Sequence, residues 1–319
     1  MPDIDLSLII PVFNEEGNIP ELYKRLRSVT DALKVKHELI FVNDGSRDNS
    51  LALILELAAS DKNVKYIHFS RNFGHQIAVT AGLDRARGEA VAIIDADLQD
   101  PPELIIDMYK KMQEGFEVVY ARRKKREKEN MLKLLTAKLF YRILARITSI
   151  EIPVDTGDFR IIHRKVVEIL RRMPEHHKFL RGQISWVGFR QTSIEFERAP
   201  RQAGETGYTY RKMIRFALDG ITGFSNFPLR FASVAGFVVS FIAFLLMLYA
   251  LYGRLVTKDY EPGWASLIVS VLFIGGIQLL SIGIIGEYIS RMNENLRNRP
   301  LYIIQETNTV PPESKEREG

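Results

Sequence analysis

Cysteine does not occur among the 319 residues, which excludes disulfides, thiolate nucleophiles, cysteine-ligated zinc and iron–sulfur clusters at once. Internal repeats are missing too. The G-x-G-x-x-G fingerprint that follows the first strand of a dinucleotide-binding fold does not occur in Pro11-Val12-Phe13-Asn14-Glu15-Glu16, which sets that type of oxidoreductase aside. The opening residues, MPDIDLSLIIPVFNEE, carry acids where a secretory signal carries a basic stretch, so a cleaved export signal is not expected. The six histidines, including His176-His177, lack the spacing of a zinc site and are read as surface or core residues. Charge of one sign is also scarce: 44 Lys+Arg against 39 Asp+Glu leave +5, which suits an anionic partner without naming one. With 46% hydrophobic and 26% charged residues, the chain is neither disordered nor collagen-like.

The mean hydropathy of −0.07 averages two unlike regions. Residues 231–253 and 263–286 contain no charge, and each exceeds the ~20 residues needed to cross a ~30 Å hydrocarbon core. Only the polar turn RLVTKDYEP separates them, so they read as a transmembrane helical hairpin. Arg201, Arg211, Lys212, Arg215 and Arg230 precede the first span, and Arg291, Arg297 and Arg299 follow the second. In the turn, Arg254 and Lys258 are offset by Asp259 and Glu261. The positive-inside rule places both long ends in the cytoplasm of a multi-pass protein of the inner (plasma) membrane.

Before the spans, apolar β-branched runs at Leu6–Phe13, Glu38–Asn43, Val64–Phe69, Ala90–Ile94 and Glu117–Tyr120 alternate with helical patterns near 18–34, 48–60, 75–87 and 101–114. That alternation predicts an α/β domain with a mostly parallel, Rossmann-like sheet, whose ligands lie beyond the carboxyl ends of the strands. The expected division is a catalytic domain over 1–207, an interfacial region over 208–228, two membrane helices within 229–290, and a cytoplasmic tail over 291–319, disordered from about 306. In the interfacial region, Tyr210, Met213, Ile214, Ala217, Ile221 and Phe224 form a helical stripe beside Arg211, Lys212 and Arg215. Such a helix lies among anionic headgroups or packs on the soluble domain. The basic run Arg122-Arg123-Lys124-Lys125-Arg126 is either a solvated loop or a contact for anionic lipid or pyrophosphate. No aromatic platform accompanies it, so nucleic acid is not an expected partner.

Unusual residues gather at strand ends: Asn43-Asp44-Gly45-Ser46 after the second run, Asp95-Ala96-Asp97-Leu98-Gln99 after the fourth. Carboxylates one residue apart suit a divalent cation with oxygen ligands, Mg2+ or Mn2+, bridging to nucleotide phosphates. Acids after strands also cap helices: Asp100-Pro101-Pro102-Glu103 reads as an N-cap and capping box, and Asp44-Gly45-Ser46 is equally open to a turn-and-cap reading.

Taken in order, PVFNEE, VNDGS and DADLQDPPE resemble the family-2 glycosyltransferases of GT-A fold, in which D-x-D holds the metal of a nucleotide-sugar. Thr156-Gly157-Asp158-Phe159-Arg160, Arg201-Gln202-Ala203-Gly204-Glu205-Thr206-Gly207-Tyr208 and the two-span hairpin narrow the likeness to polyisoprenyl-phosphate glycosyltransferases, the group that includes dolichol-phosphate mannosyltransferase and bacterial undecaprenyl-phosphate glucosyltransferases. The resemblance covers about residues 4–300. It implies that Pro11, Phe13 and Glu15 shape a nucleoside pocket with Asp44 on the base. Asp95 and Asp97 hold the metal, with Gln99 beside the sugar and Arg122 near the phosphates. Asp158 is catalytic, and Arg201 engages phosphate. Relatives often have lysine where Gly207 stands, so that contact is either missing or supplied by Arg211 or Lys212, with Arg160 also on the acceptor side.

The implied activity is inverting transfer of a hexose, glucose from UDP-glucose, to undecaprenyl phosphate at the cytoplasmic face by a homo-oligomer, with a tetramer as candidate size. GDP-mannose or an amino-arabinose donor is the alternative. A processive polysaccharide synthase would need more spans and a Q-x-x-R-W motif, which Gln183-Ile184-Ser185-Trp186 matches only in part. A degenerate membrane scaffold would not need Asp95, Asp97 and Asp158 together.

Overall fold

The computed structural model describes residues 4–123, 156–197, 227–252 and 263–310. They fall into two compact units, a sheet domain that includes the residues after 298, and a pair of long helices.

In the sheet domain, β1 (Leu6–Val12), β2 (His37–Asn43), β3 (Val64–Phe69), β4 (Ala90–Ile93) and β5 (Val118–Arg123) alternate with α1 (Ile19–Leu33), α2 (Ser50–Ser60), α3 (His75–Arg85) and α4 (Leu104–Gln113). Then come β6 (Thr156–His163), α5 (Arg164–Arg172), α6 (Leu180–Val187) and β7 (Gln191–Phe196), and β8 (Ile304–Thr307) closes the sheet. The strand order is β7-β5-β6-β4-β1-β2-β3-β8. β1 pairs in parallel with both β2 and β4, β2 with β3 and β5 with β7, while β6 and β8 run antiparallel to their neighbours. The five expected strands and four expected helices are all present, within a few residues of their expected bounds.

β1 explains why the sheet is covered on both faces. Leu6, Leu8, Ile10 and Val12 point to one side, against Leu22 and Leu26 of α1 and Ile105 and Met108 of α4. Ile9 points to the other, where Ala78 and Val79 of α3 and Val166 and Leu170 of α5 close over it. α3 lies so near that a Cβ on Gly82 would fall 2.3 Å from Ile9 Cγ2, which is why a glycine stands there. The chain winds from β1 to β2 and β3, then returns to β4 on the other side of β1. The resulting switch point opens a crevice between the carboxyl ends of β1 and β4, the place where such sheets bind ligands.

The expected disorder from about 306 is corrected: Ile304–Thr307 is an edge strand. Asn308 Oδ1 accepts the Tyr66 N–H at 2.7 Å and the Ser70 N–H reaches Ile303 O at 3.1 Å. Tyr302 stacks on Phe69 with centroids 5.2 Å apart and donates to Asp84 Oδ2 at 2.9 Å. These partners lie far upstream in sequence, so the polar composition of the segment concealed the pairing.

The helix unit consists of α7 (Phe227–Tyr252) and α8 (Trp264–Leu296), which pack on one another. Phe227–Leu246 and Val269–Leu296 each include an 18-residue window of mean hydropathy 2.1, and large side chains such as Phe237 and Leu279 are each 73% exposed. α8 runs ten residues beyond the expected end of its apolar span. At 1.5 Å per residue its 33 residues reach about 50 Å, more than the ~30 Å of hydrocarbon. The excess is polar and carries the Arg291–Glu287 pair at 3.2 Å. The proposed interfacial helix lies outside the described residues except at its end, where α7 begins.

Replacing Tyr302 by Ala should lower stability by about 3 kcal/mol, the usual cost of deleting a packed aromatic ring, and Tyr302→Phe by about 1 kcal/mol for the lost hydrogen bond. Thermal denaturation of the purified protein reads both; an unchanged midpoint in Tyr302→Ala would mean that the ring does not hold β8.

Candidate active site

The turns after β1 and β2 are laced together. Asn14 adopts φ +56°; its N–H donates to Ser46 Oγ at 3.0 Å and its Oδ1 accepts the Arg47 N–H at 2.8 Å. Glu16 and Asp48 continue the exchange, through Glu16 N–H to Asp48 Oδ2 and Asn49 N–H to Glu16 Oε2. Gly45 sits at φ +67° with the β3–α3 loop against it, and a Cβ there would meet Arg71 backbone carbon at 2.5 Å. Beside it Asp44, 3% exposed, accepts the Phe73 and Gly74 N–H groups at 2.6 and 3.0 Å. Burial pushes its carboxyl up, against the pull of those two N–H groups. Asp44 therefore fixes the 72–75 loop as well as lining the site.

These turns wall a cavity of about 280 Å³. Pro11, Phe13, Glu15 and Asp44 line one side, Asp95 and Asp97 the other, and Asn72, Gly74 and His75 the loop between. Phe13 is 44% exposed at this site, an apolar face available to a stacking ring. Five of the expected donor residues and both members of the metal pair thus come together around the switch point; Pro11, Phe13, Glu15, Asp44, Asp95 and Asp97 line the cavity, and Gln99 reaches it through its N–H, which donates to Asp97 Oδ1 at 3.1 Å. Leu98 adopts φ +58°, an unusual conformation for a bulky residue, and makes the turn that brings Gln99 back to Asp97.

Asp95 and Asp97 fit a divalent cation with oxygen ligands. Asp95 Oδ1 is buried and, among the described residues, accepts no hydrogen bond, with His75 Nε2 3.5 Å away. Burial pushes the Asp95 carboxyl up; His75 opposes that, and Asp158 and Asp97 add to it. Such a pair is stabilised by a cation. No set of three or more acidic or histidine side chains forms a metal cluster among the described residues, as suits a cation that takes one or two carboxylates and completes its shell with water and substrate phosphate.

Asp158, on β6, is the most fully bonded acid of the site. Its side chain is 10% exposed. Oδ1 accepts Arg181 Nε at 2.7 Å, and Oδ2 accepts Gln76 Nε2 at 2.9 Å and pairs with His75 Nε2 at 3.1 Å. Burial opposes its ionisation, but His75 and Arg181 outweigh burial and hold it well below the usual carboxylate range. His75 is affected in reverse: burial would lower its pKa, and Asp95 and Asp158 raise it to about 9. Each partner therefore favours the charged form of the other.

The other expected site residues are placed differently. Arg122 is half exposed and pairs with Glu195 of β7 rather than lining the cavity. Arg160 is 5% exposed, and its guanidinium donates to the Gly157 and Asp158 carbonyls at 2.8 and 3.3 Å; burial lowers its pKa to about 10. It braces the Asp158 turn from within. Arg201, Arg211, Lys212 and the run from Lys124 to Arg126 lie outside the described residues. The expected capping box is corrected: α4 begins at Leu104 with no side-chain cap bond. The consecutive prolines delay the helix, and Glu103 is taken by Arg25 of α1 at 2.6 Å. Asp100 is 1% exposed, near Gly157. Gln183 is buried and donates to Glu175, whereas Trp186 is 62% exposed.

His75, Gln76 and Arg181 were not anticipated. The strand-end pattern applies equally after β3, where Gly74-His75-Gln76 opens α3, but zinc-ligand spacing does not detect a lone imidazole set between two carboxylates. Arg181 has no local signal; it reaches Asp158 only through the fold.

A mostly parallel α/β sheet with paired carboxylates at its switch point suits an enzyme that binds its ligand at the carboxyl ends of the strands. The chain belongs to glycosyl transferase family 2, whose model matches residues 7–170. It is 52% identical, over 95% of its length and 94% of the relative's, to the uncharacterized glycosyltransferase YkcC of Bacillus subtilis. It is 42% identical to the SfII prophage-derived bactoprenol glucosyl transferase of Shigella flexneri, over 96% of this chain and 99% of that one. Among solved structures, mannosyl-3-phosphoglycerate synthase from Rubrobacter xylanophilus aligns at a TM-score of 0.46 with 17% identity, covering 82% of this chain and 78% of that one.

Proposed function

We propose that the chain is an inverting glycosyltransferase that moves glucose from UDP-glucose to undecaprenyl phosphate at the cytoplasmic face of the membrane. The observation that carries this reading is the 42% identity, along nearly the whole chain, to a protein named as a bactoprenol glucosyl transferase. The site supports it with a cavity ending in two carboxylates, and the two long apolar helices support a lipid-borne acceptor. The homo-oligomer and its tetrameric size rest on the resemblance alone.

In this reaction an oxygen of the acceptor phosphate attacks the anomeric carbon, and the bond from that carbon to the UDP oxygen breaks on the opposite face. The electron pair departs with UDP. The acceptor is a phosphate monoester with a second pKa near ~6, so the attacking oxygen is already ionised and no proton has to move. Asp158, held anionic by His75 and Arg181, is placed to orient the acceptor and shape its electrostatics rather than to act as a base. Arg160 supports that turn, leaving the phosphate itself to Arg201, Arg211 and Lys212. Asp95 and Asp97 would hold Mg2+ or Mn2+, which supplies positive charge for the departing diphosphate. Phe13 and Pro11 present the apolar wall for the base.

The topology of the sheet supports an even number of crossings. β8 follows α8 in sequence yet pairs with β3, in the sheet that precedes α7, so the chain before α7 and after α8 shares one side. The basic flanks favour the cytoplasm for that side.

Purified protein given undecaprenyl phosphate and, separately, radiolabelled UDP-glucose, UDP-galactose, GDP-mannose and a nucleotide-linked amino-arabinose should label the lipid with UDP-glucose. Labelling by GDP-mannose alone would overturn the sugar, and labelling by none would overturn the activity. EDTA should abolish transfer, and Asp97→Asn should lower it at least ~100-fold, the usual scale for losing a group that stabilises developing charge; full activity in chelator would sink the metal assignment.

For Asp158→Asn with saturating lipid phosphate, the deficit in transfer should stay flat above pH 7. A rate in the mutant that climbs steeply from pH 7 to 9, with no such climb in the parent, would identify Asp158 as a base.

Because the chain has no cysteine of its own, single cysteines can report sidedness without background. Ser314→Cys should be labelled only from the cytoplasm and Thr257→Cys only from outside; the reverse pattern would contradict both the topology and a cytosolic sugar donor.

A further inference from the structure

Gln76 takes no part in the steps above, yet two elements converge on its side chain. Its Nε2 donates to Asp158 Oδ2 at 2.9 Å, and its Oε1 accepts the Leu180 backbone N–H at 3.2 Å. These partners settle which end of the carboxamide faces which way, since a backbone N–H requires the oxygen and a carboxylate requires the NH2. The backbone carbonyl of Gln76 in turn accepts Thr80 Oγ1 at 2.8 Å, within α3. One side chain therefore joins the first turn of α3, strand β6 and the first residue of α6.

The consequence extends to the neighbouring donor. Leu180 immediately precedes Arg181, whose Nε reaches the other oxygen of Asp158 at 2.7 Å. Gln76 thus supplies one donor directly and anchors the start of the helix that presents a second. Its chemistry differs from that of the other two donors: His75 and Arg181 can balance the charge of Asp158, whereas a carboxamide adds none. Its loss would alter where the carboxylate points more than whether it is ionised.

We infer that Gln76 is a positioning residue for Asp158, bridging the carboxylate to the start of α6 so that Asp158 is held in the orientation transfer requires. The inference rests on the reading of Asp158 as an acceptor-side group in glycosyl transfer. Mispositioning of a reacting group by about 1 Å can cost ~100-fold in rate, so a residue of this kind should act on turnover and leave nucleotide binding intact.

The test is a double-mutant cycle on the full-length protein, with lipid glucosylation and UDP affinity measured for each variant. Gln76→Ala should lower kcat about 10- to 100-fold while UDP affinity stays within about twofold, and in an Asp158→Asn background the same change should cost less than about threefold, because interacting residues are non-additive. Gln76→Glu keeps the acceptor for the Leu180 N–H but sets a second carboxylate against Asp158, so it should be at least as damaging as Gln76→Ala. Combined with Asp158→Asn, whose amide can donate to Glu, it should be no slower than Asp158→Asn alone. Equal losses from Gln76→Ala in both backgrounds, or a fall in UDP affinity that tracks the fall in kcat, would overturn the inference; should Asp158→Asn be too slow to measure, the split between kcat and UDP affinity in Gln76→Ala and Gln76→Glu decides. Failure of the parent protein to glucosylate the lipid would instead overturn the functional reading, so the two failures are distinct.

Discussion

A carboxylate that is only 10% exposed, as Asp158 is, stays ionised only if donors meet both of its oxygens. That constraint organises the site. Arg181 comes from α6, His75 and Gln76 from the first turn of α3, and the acid itself from β6, so three elements far apart in sequence must be in register before the group is satisfied. The antiparallel pairing of β6 with β4 sets Arg160 opposite Ile93, which carries Asp158 just past the carboxyl end of β4, where Asp95 stands. His75 then bridges the two acids, at 3.5 Å from Asp95 and 3.1 Å from Asp158. The two carboxylates are thereby linked through one imidazole ring.

The same edge of the sheet carries the end of β7 and the start of β8. β7 runs parallel to β5 and ends with Phe196 opposite Arg123, at the carboxyl edge. β8 runs antiparallel to β3 and begins with Ile304 opposite Phe69, again at that edge. The end of β7 and the start of β8 thus lie at opposite ends of the strand order but on the edge that holds the cavity. Tyr302 adds a local link, since it stacks on Phe69, which meets Phe73 edge to face at 5.6 Å. Phe73 is in turn tied to Asp44 through its N–H. The segment after α8 is therefore part of the support of the 72–75 loop.

Local pattern was sufficient for the first half of the sheet domain because β1 to β5 and their helices each bury a continuous apolar run or stripe, and such runs are visible one segment at a time. The two apolar helices were legible for the same reason. The acids at the ends of β1, β2 and β4 were legible because the strand-end rule needs no knowledge of partners. What escaped was set by pairing. β6 and β8 join the sheet antiparallel to strands many residues away, and nothing in Ile304-Gln305-Glu306-Thr307 marks it as a strand without β3 beside it. Glu103 looked like a cap until Arg25 was within 2.6 Å. Arg122 meets Glu195 of β7 and Arg160 the carbonyls of its own turn, partners that no local pattern announces. His75 was misjudged because its role depends on two carboxylates that sequence separates by 20 and 83 residues.

Electrostatics explains why a site with so many acids suits anionic substrates. Asp44, Asp95, Asp97 and Asp158 surround a cavity of about 280 Å³ or its wall, and a nucleotide diphosphate and a lipid phosphate would add further negative charge. Two unit charges 4 Å apart at a protein surface interact by about 4 kcal/mol, so the unbalanced set would repel both substrates. The chain offsets part of this internally: His75 and Arg181 lie on Asp158, and Arg160 lies beneath the same turn. Asp44 is instead bonded to two backbone N–H groups. Asp95 differs from both, since among the described residues its buried Oδ1 accepts no hydrogen bond. In the proposed reaction a divalent cation on Asp95 and Asp97 would answer both those carboxylates and the diphosphate of the donor, while the acceptor phosphate would meet basic side chains.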